Sequence, residues 1–164
     1  RHPRCVTTRV ATEATGAGGK VAMPFVLRTN TCFYVASGLE NVVVVRQVQA
    51  DLTALGHECT YDWTEHGAVW AGGLMRLREV ALAELAGVRE AAYVVVLLPG
   101  GQGTHVELGA ALAYKKRIYV CSSTPEADFG AVAGTCAFYH CPQVWRGRPE
   151  ALLPAVLDDF PMER

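Results

Sequence analysis

Apolar and polar positions along this chain fall into two kinds of block that take turns. Short apolar runs of strand character alternate with longer stretches of helical spacing. Residues 32–36, CFYVA, make the first run, and Ser37-Gly38 breaks it. A helix is predicted from Glu40-Asn41 through about Leu55, with Val44, Val48, Leu52 and Leu55 on one stripe. Gly56 closes it as a glycine just past the last turn. Residues 57–63, HECTYDW, predict a second strand, and 64–73 a loop holding His66 and Trp70. Residues 74–90 are helical, with Leu77, Val80/Ala81, Leu85 and Val88 spaced for a core face. The third strand, 94–98, is VVVLL, apolar without alternation, as strands buried on both faces are. It runs into a glycine-rich loop, PGGQGT at 99–104, and then a helical stretch over 105–116. Strand four is predicted at 117–121, a loop at 122–134, strand five at 135–140 (TCAFYH), and a last helix at 149–160.

Strand and helix alternate throughout, which predicts an α/β domain with a parallel sheet and helices on both faces. Right-handed crossovers leave few topologies. The expected fold is a single flavodoxin/Rossmann-like domain with five parallel strands in the order 2-1-3-4-5. Its switch point lies between strands one and three, where ligands bind at the carboxyl edge. The Ser37-Gly38 loop and the loop at 100–104 then flank one crevice. Residues 1–30 differ from the rest. Their start is basic, and 11–20 is Ala, Thr and Gly with no apolar period. They read as a flexible extension outside a domain over 31–164. Arg1, Arg4, Arg9 and Lys20 against Glu13 also fit a transit peptide, and Met23 offers an alternative start.

Composition narrows the function classes. The chain has 164 residues, 51% hydrophobic and 19% charged, with a formal net charge of −1. That size supports one domain with a real core. The charge balance advertises no nucleic-acid or anionic-membrane surface, and no apolar run is long enough to span a bilayer. A soluble, cytoplasmic protein is expected. The six cysteines form no CxxC pair. Cys32, Cys59 and Cys121 lie in apolar segments, where a reduced thiol is a small hydrophobe, so a disulfide framework is not expected. Cys136, His140 and Cys141 match no zinc spacing, so neither a metal nor any other cofactor is expected.

The motifs point past the commonest nucleotide enzymes. There is no GxGxxG after strand one, no GK[ST] and no GxSxG elbow. What the glycine loop does carry is Glu107, expected in the first turn of the helix that follows. Thr104-His105-Val106-Glu107 fits a capping box, in which the carboxylate returns to the cap residue's N–H. Equally, a glutamate kept ionised by the helix dipole and facing a ligand crevice can attack an electrophilic carbon, as glycosidase carboxylates do.

The segment from Pro99 to Gly109, PGGQGTHVELG, resembles the nucleoside 2-deoxyribosyltransferase family and its deoxynucleotide N-hydrolase relatives. FYVAS at 33–37 resembles that family's first strand and substrate loop, and GHECTYDW at 56–63 its second strand. The likeness runs from about Phe33 to Tyr119. It implies that Glu107 attacks C1′ of a 2′-deoxyribonucleoside, and that a free nucleobase or water resolves the deoxyribosyl-enzyme. Tyr34 would orient Glu107. Ser37 and Gly38 would line the sugar, with Gly101, Gly103 and Thr104 across the crevice. Glu84 would hold sugar hydroxyls, and Asp62 and Trp63 would contact base or sugar. His66 and His140 are candidate proton donors to the leaving base, and Trp70, Phe138 and Tyr139 candidate base-pocket aromatics. Some transferases carry an upstream aspartate where this chain has Gly101. The family implies a homo-oligomer whose neighbouring subunit completes the site, with the loop at 138–143 as a candidate to reach across.

Two other readings stand beside this one. The string PGGQGTHVE is also similar to the cytokinin-activating phosphoribohydrolases, which cleave the N-glycosidic bond of ribonucleoside monophosphates. A non-catalytic nucleotide-binding module would use Glu107 only as a cap.

Overall fold

A computed structural model describes residues 31–66, 69–130 and 135–161. The extension expected over 1–30 lies outside the described residues. The strands are β1 (Cys32–Ser37), β2 (Glu58–Cys59), β3 (Tyr93–Leu97), β4 (Arg117–Cys121) and β5 (Val144–Gly147). Every neighbouring pair is parallel and the order is β2-β1-β3-β4-β5, as expected. The helices are α1 (Val42–Ala54), α2 (Gly73–Glu90), α3 (Gln102–Ala113), α4 (Pro125–Phe129) and α5 (Leu152–Asp159). No described helix is long and apolar enough to cross a membrane.

The period of two along β1 decides what each helix covers. Phe33 stands beside Tyr93 in the register. The Tyr93 ring meets Phe33 at 6.1 Å, Tyr119 at 5.6 Å and Phe160 at 4.9 Å, so α5 seals that face. Tyr34, one residue on, points to the other face, where α2 and α3 lie. All five residues of β3 are buried, which is why its sequence shows no alternation.

Several elements depart from the sequence expectation. In α1 the buried positions are Val45, Val48, Gln49 and Leu52, while Val44 is 46% exposed. Val48 and Leu52 are buried as expected; only the first position of the stripe differs, where four consecutive valines leave the choice open and Val45 rather than Val44 turns inward. In α2 the buried residues are Val80, Gly87 and Val88, and Leu77 faces solvent. Val80 and Val88 are buried as expected, and the helix packs from Val80 onward. The second strand is only two residues long, because Asp62 opens a 3-10 turn over Trp63–Glu65. The fifth strand is not 135–140, where Ala137–His140 forms a 3-10 turn. It is Val144–Gly147, with Val144 buried opposite Ile118. Cys32 is disulfide-bonded, where a reduced thiol is expected from sequence. Cys59, Cys121, Cys136 and Cys141 are free.

Candidate active site

At the carboxyl ends of β1 and β3 the two flanking loops are tied together by one side chain. Asn41 Nδ2 donates to Pro99 O at 2.8 Å and to Ser37 Oγ at 3.0 Å. Ser37 Oγ in turn donates to Leu97 O at 2.8 Å. The chain after Pro99 turns sharply into α3. A Cβ on Gly100 would lie 2.6 Å from Thr104 Cγ2, so the buried Thr104 side chain occupies the space a larger residue would need. Gly101 caps α3 in an extended conformation. A Cβ on Gly103 would meet nothing within 4 Å, so the backbone there faces open space.

Because α3 begins at Gln102, Glu107 lies in its second turn, not the first. This overturns the capping box, since the carboxylate is beyond the unpaired N–H groups of the helix start. Instead, Glu107 Oε1 accepts a hydrogen bond from the Tyr34 hydroxyl. Both groups are buried, Tyr34 fully and Glu107 with 6% exposure. The electrostatic expectation changes with it. Burial pushes the Glu107 carboxyl up to about 8; the Tyr34 hydrogen bond opposes this, and the charge of Glu84 adds to it. Burial also raises Glu84. Tyr34 is driven well above the usual phenol range, first by burial and then by Glu107, so it stays a donor.

Glu107 opens into a cavity of about 160 Å³ lined by Ser37, Leu39, Trp63, His66, Val69, Val80, Glu84, Gly103, Thr104 and Glu107. Thus Ser37, Trp63, Glu84, Gly103 and Thr104 gather around the carboxylate as expected, with Tyr34 behind it. Trp63 is a fixed wall, its indole N–H donating to Val35 O at 2.7 Å. His66 joins them. Gly38, Asp62 and Gly101 are not among the lining residues. Gly38 caps the 3-10 turn before α1. Asp62 Oδ1 accepts from Thr64 N at 2.9 Å, Thr64 Oγ1 at 2.7 Å and Gln49 Nε2 at 3.2 Å, which is a turn-capping role. It lines a separate cavity of about 520 Å³ between the β2 segment and α2. His140 is engaged elsewhere, by Thr135 and Arg146. Tyr139 is buried and bonded to His105, and Phe138 is 61% exposed. The Trp70 side chain lies outside the described residues.

Sequence reasoning missed Asn41, the loop clamp, and Val69 and Val80 in the cavity wall. Asn41 stands four residues after Ser37, a spacing that puts both on one side of a helical turn, but nothing marks Pro99 as its second partner. Among the described residues no group of His, Cys, Asp and Glu can hold a metal ion. The arrangement therefore offers a buried carboxyl, a phenol that fixes it, a second carboxyl and an aromatic wall. No family model matches the chain, and no curated protein matches it.

Proposed function

We propose that this protein cleaves the N-glycosidic bond of 2′-deoxyribonucleosides and transfers the deoxyribose to another nucleobase. The observation that carries the reading is Glu107: a buried carboxyl, held by Tyr34, at the mouth of the β1–β3 crevice. Glu107 Oε attacks C1′, and the C1′–N bond breaks with its electron pair leaving on the base, which takes up a proton. A nitrogen of the incoming base then attacks C1′, gives its proton to the His66 that protonated the leaving base, and releases the carboxylate. Glu84 hydrogen-bonds sugar hydroxyls, Trp63 walls the site and His66, which lines the same cavity, protonates the leaving base.

No lysine or arginine lines the Glu107 cavity among the described residues, which favours a nucleoside over a 5′-monophosphate. This weighs against the phosphoribohydrolase alternative and the nucleotide-hydrolase branch. A homo-oligomer is part of the proposal. It has support in apolar side chains that α2 leaves in solvent, Leu74 at 84% and Met75 at 68% exposure, and sedimentation velocity tests it.

Chromatography of deoxynucleosides incubated with the protein, with and without an added free base, tests the reaction. A new nucleoside that forms only with the added base is the expected result. Free base and deoxyribose alone mean hydrolysis. Full turnover by Glu107→Ala would remove the nucleophile assignment.

A further inference from the structure

Tyr34 does not hold its position alone. Its ring lies beneath the backbone of α2 at Gly87. A Cβ there would sit 3.0 Å from Tyr34 Cδ2, 3.2 Å from Cε2 and 2.9 Å from Tyr61 Cβ. Carbon atoms pack best at about 3.5–4.0 Å, so even a methyl group forces the ring or the helix to move. Glycine inside a helix is less favourable than alanine. Its presence here accompanies a close approach that any Cβ would force Tyr61, Tyr34 or the helix to relieve.

The same turn of α2 is tied to β1 by a side chain. Thr60 Oγ1 lies 2.9 Å from Gly87 O and 3.1 Å from Phe33 O, within donating distance of both. Phe33 immediately precedes Tyr34. The chain of contact thus runs from Thr60 to Gly87, from Gly87 to the Tyr34 ring, and from the Tyr34 hydroxyl to Glu107.

We propose that Gly87, anchored by Thr60, is a positioning residue for the nucleophile: the close approach of α2 sets the Tyr34 ring so that its hydroxyl meets Glu107. This rests on the reading of Glu107 as the nucleophile, but its test does not need substrate. The ionisable groups that face Glu107 are Tyr34 from β1, Glu84 from α2 and His66 from the turn after β2.

The test compares wild type, Gly87→Ala, Tyr34→Phe, the double variant and Thr60→Val. The first readout is carbon-13 NMR titration of the Glu107 carboxyl, assigned by its loss in Glu107→Gln. The second is kcat and KM. Tyr34 favours the ionised carboxylate, so Gly87→Ala raises the titration midpoint. A displacement of 1 Å near a reacting group can cost about a hundredfold, so a shift of a few tenths of an ångström lowers kcat ~10-fold and leaves KM nearly unchanged. In the Tyr34→Phe background, Gly87→Ala moves neither quantity further. Thr60→Val shifts the midpoint in the same direction by less. A folded Gly87→Ala protein with the wild-type midpoint overturns the proposal. An equal shift in the Tyr34→Phe background does so too. If Gly87→Ala does not fold, Thr60→Val decides, and a wild-type midpoint there overturns it. Absence of turnover in wild type defeats the proposed function while the titrations still answer this question.

Discussion

Replacing Glu107 by glutamine isolates the effect of burying this carboxyl. The folded protein holds the Glu107 proton up to about pH 8, against an ordinary value of 4.5. Between those values the folded state binds more protons than the unfolded chain. Stability is therefore fully present below 4.5 and is lost as pH rises through about 8. Each pH unit in that window is worth about 1.4 kcal/mol, which gives about 3 kcal/mol by pH 7 and about 5 kcal/mol at full ionisation. Domains of this size have roughly 5–15 kcal/mol in total, so the effect is large enough to measure.

Glutamine keeps the shape, and its Oε1 can still accept the Tyr34 hydroxyl. It cannot ionise. Urea denaturation of both proteins at pH 5 and at pH 8.5 gives the contrast, since the other titrating groups are common to the pair. Near-equal stability at pH 5 is expected, with the glutamine variant ahead by about 3–5 kcal/mol at pH 8.5. On the proposed function the stabler variant is also inactive. A gap that stays constant with pH, or one in which wild type gains, would refute the burial argument.

The other predictions are quicker to state. If Glu107 must be ionised to react, the ascending limb of kcat/KM lies near pH 8, measured by product chromatography across pH 6–9.5, and any descending limb belongs to the proton that His66 gives the leaving base; a rate with no ascending limb in that range contradicts this. Asn41→Ala breaks both ties between the Ser37 and Pro99 loops, which costs about 1–2 kcal/mol in urea unfolding and raises KM more than it lowers kcat. An unchanged KM would separate the clamp from substrate binding. His57 is buried against the Tyr93 hydroxyl, and burial lowers its pKa from 6.5. The unfolded chain then takes the proton first, so stability falls as pH drops through 6.5; His57→Phe should flatten that limb of the stability curve, and an unaltered limb counts against it.

The sheet was legible because its central strand, β3, is apolar and buried on both faces, and because strands and helices alternate along the chain. Short edge elements were not. The span 57–63 has strand composition, yet Asp62 finds a better use capping a turn than extending an edge. The span 135–140 has aromatic and β-branched residues, but pairing with β4 goes to Val144, whose side chain reaches the core. The site divides in the same way. Tyr34 and Glu107 were readable from the resemblance, and their contact follows from strand parity. Gly87 and Asn41 were not, since a glycine in a helix and an asparagine after a loop carry no local mark of the distant atoms they meet.

The helix position of Glu107 changes what its carboxylate is suited to do. In the first turn, unpaired N–H groups would keep it ionised in an empty site, and a cap needs nothing more. In the second turn, buried beside Glu84 with no lysine or arginine among the described residues lining the cavity, the ionised form is costly until positive charge arrives. On the proposed reaction that charge develops at C1′ as the bond to the base breaks. The attraction is then stronger in the transition state than in the ground state, which is the condition for raising kcat. Tyr34, fixed by packing, already points its hydroxyl at the carboxylate and needs no reorganisation. On the proposed function, a carboxyl whose burial weakens the fold at neutral pH and caps no helix has its reason in that chemistry.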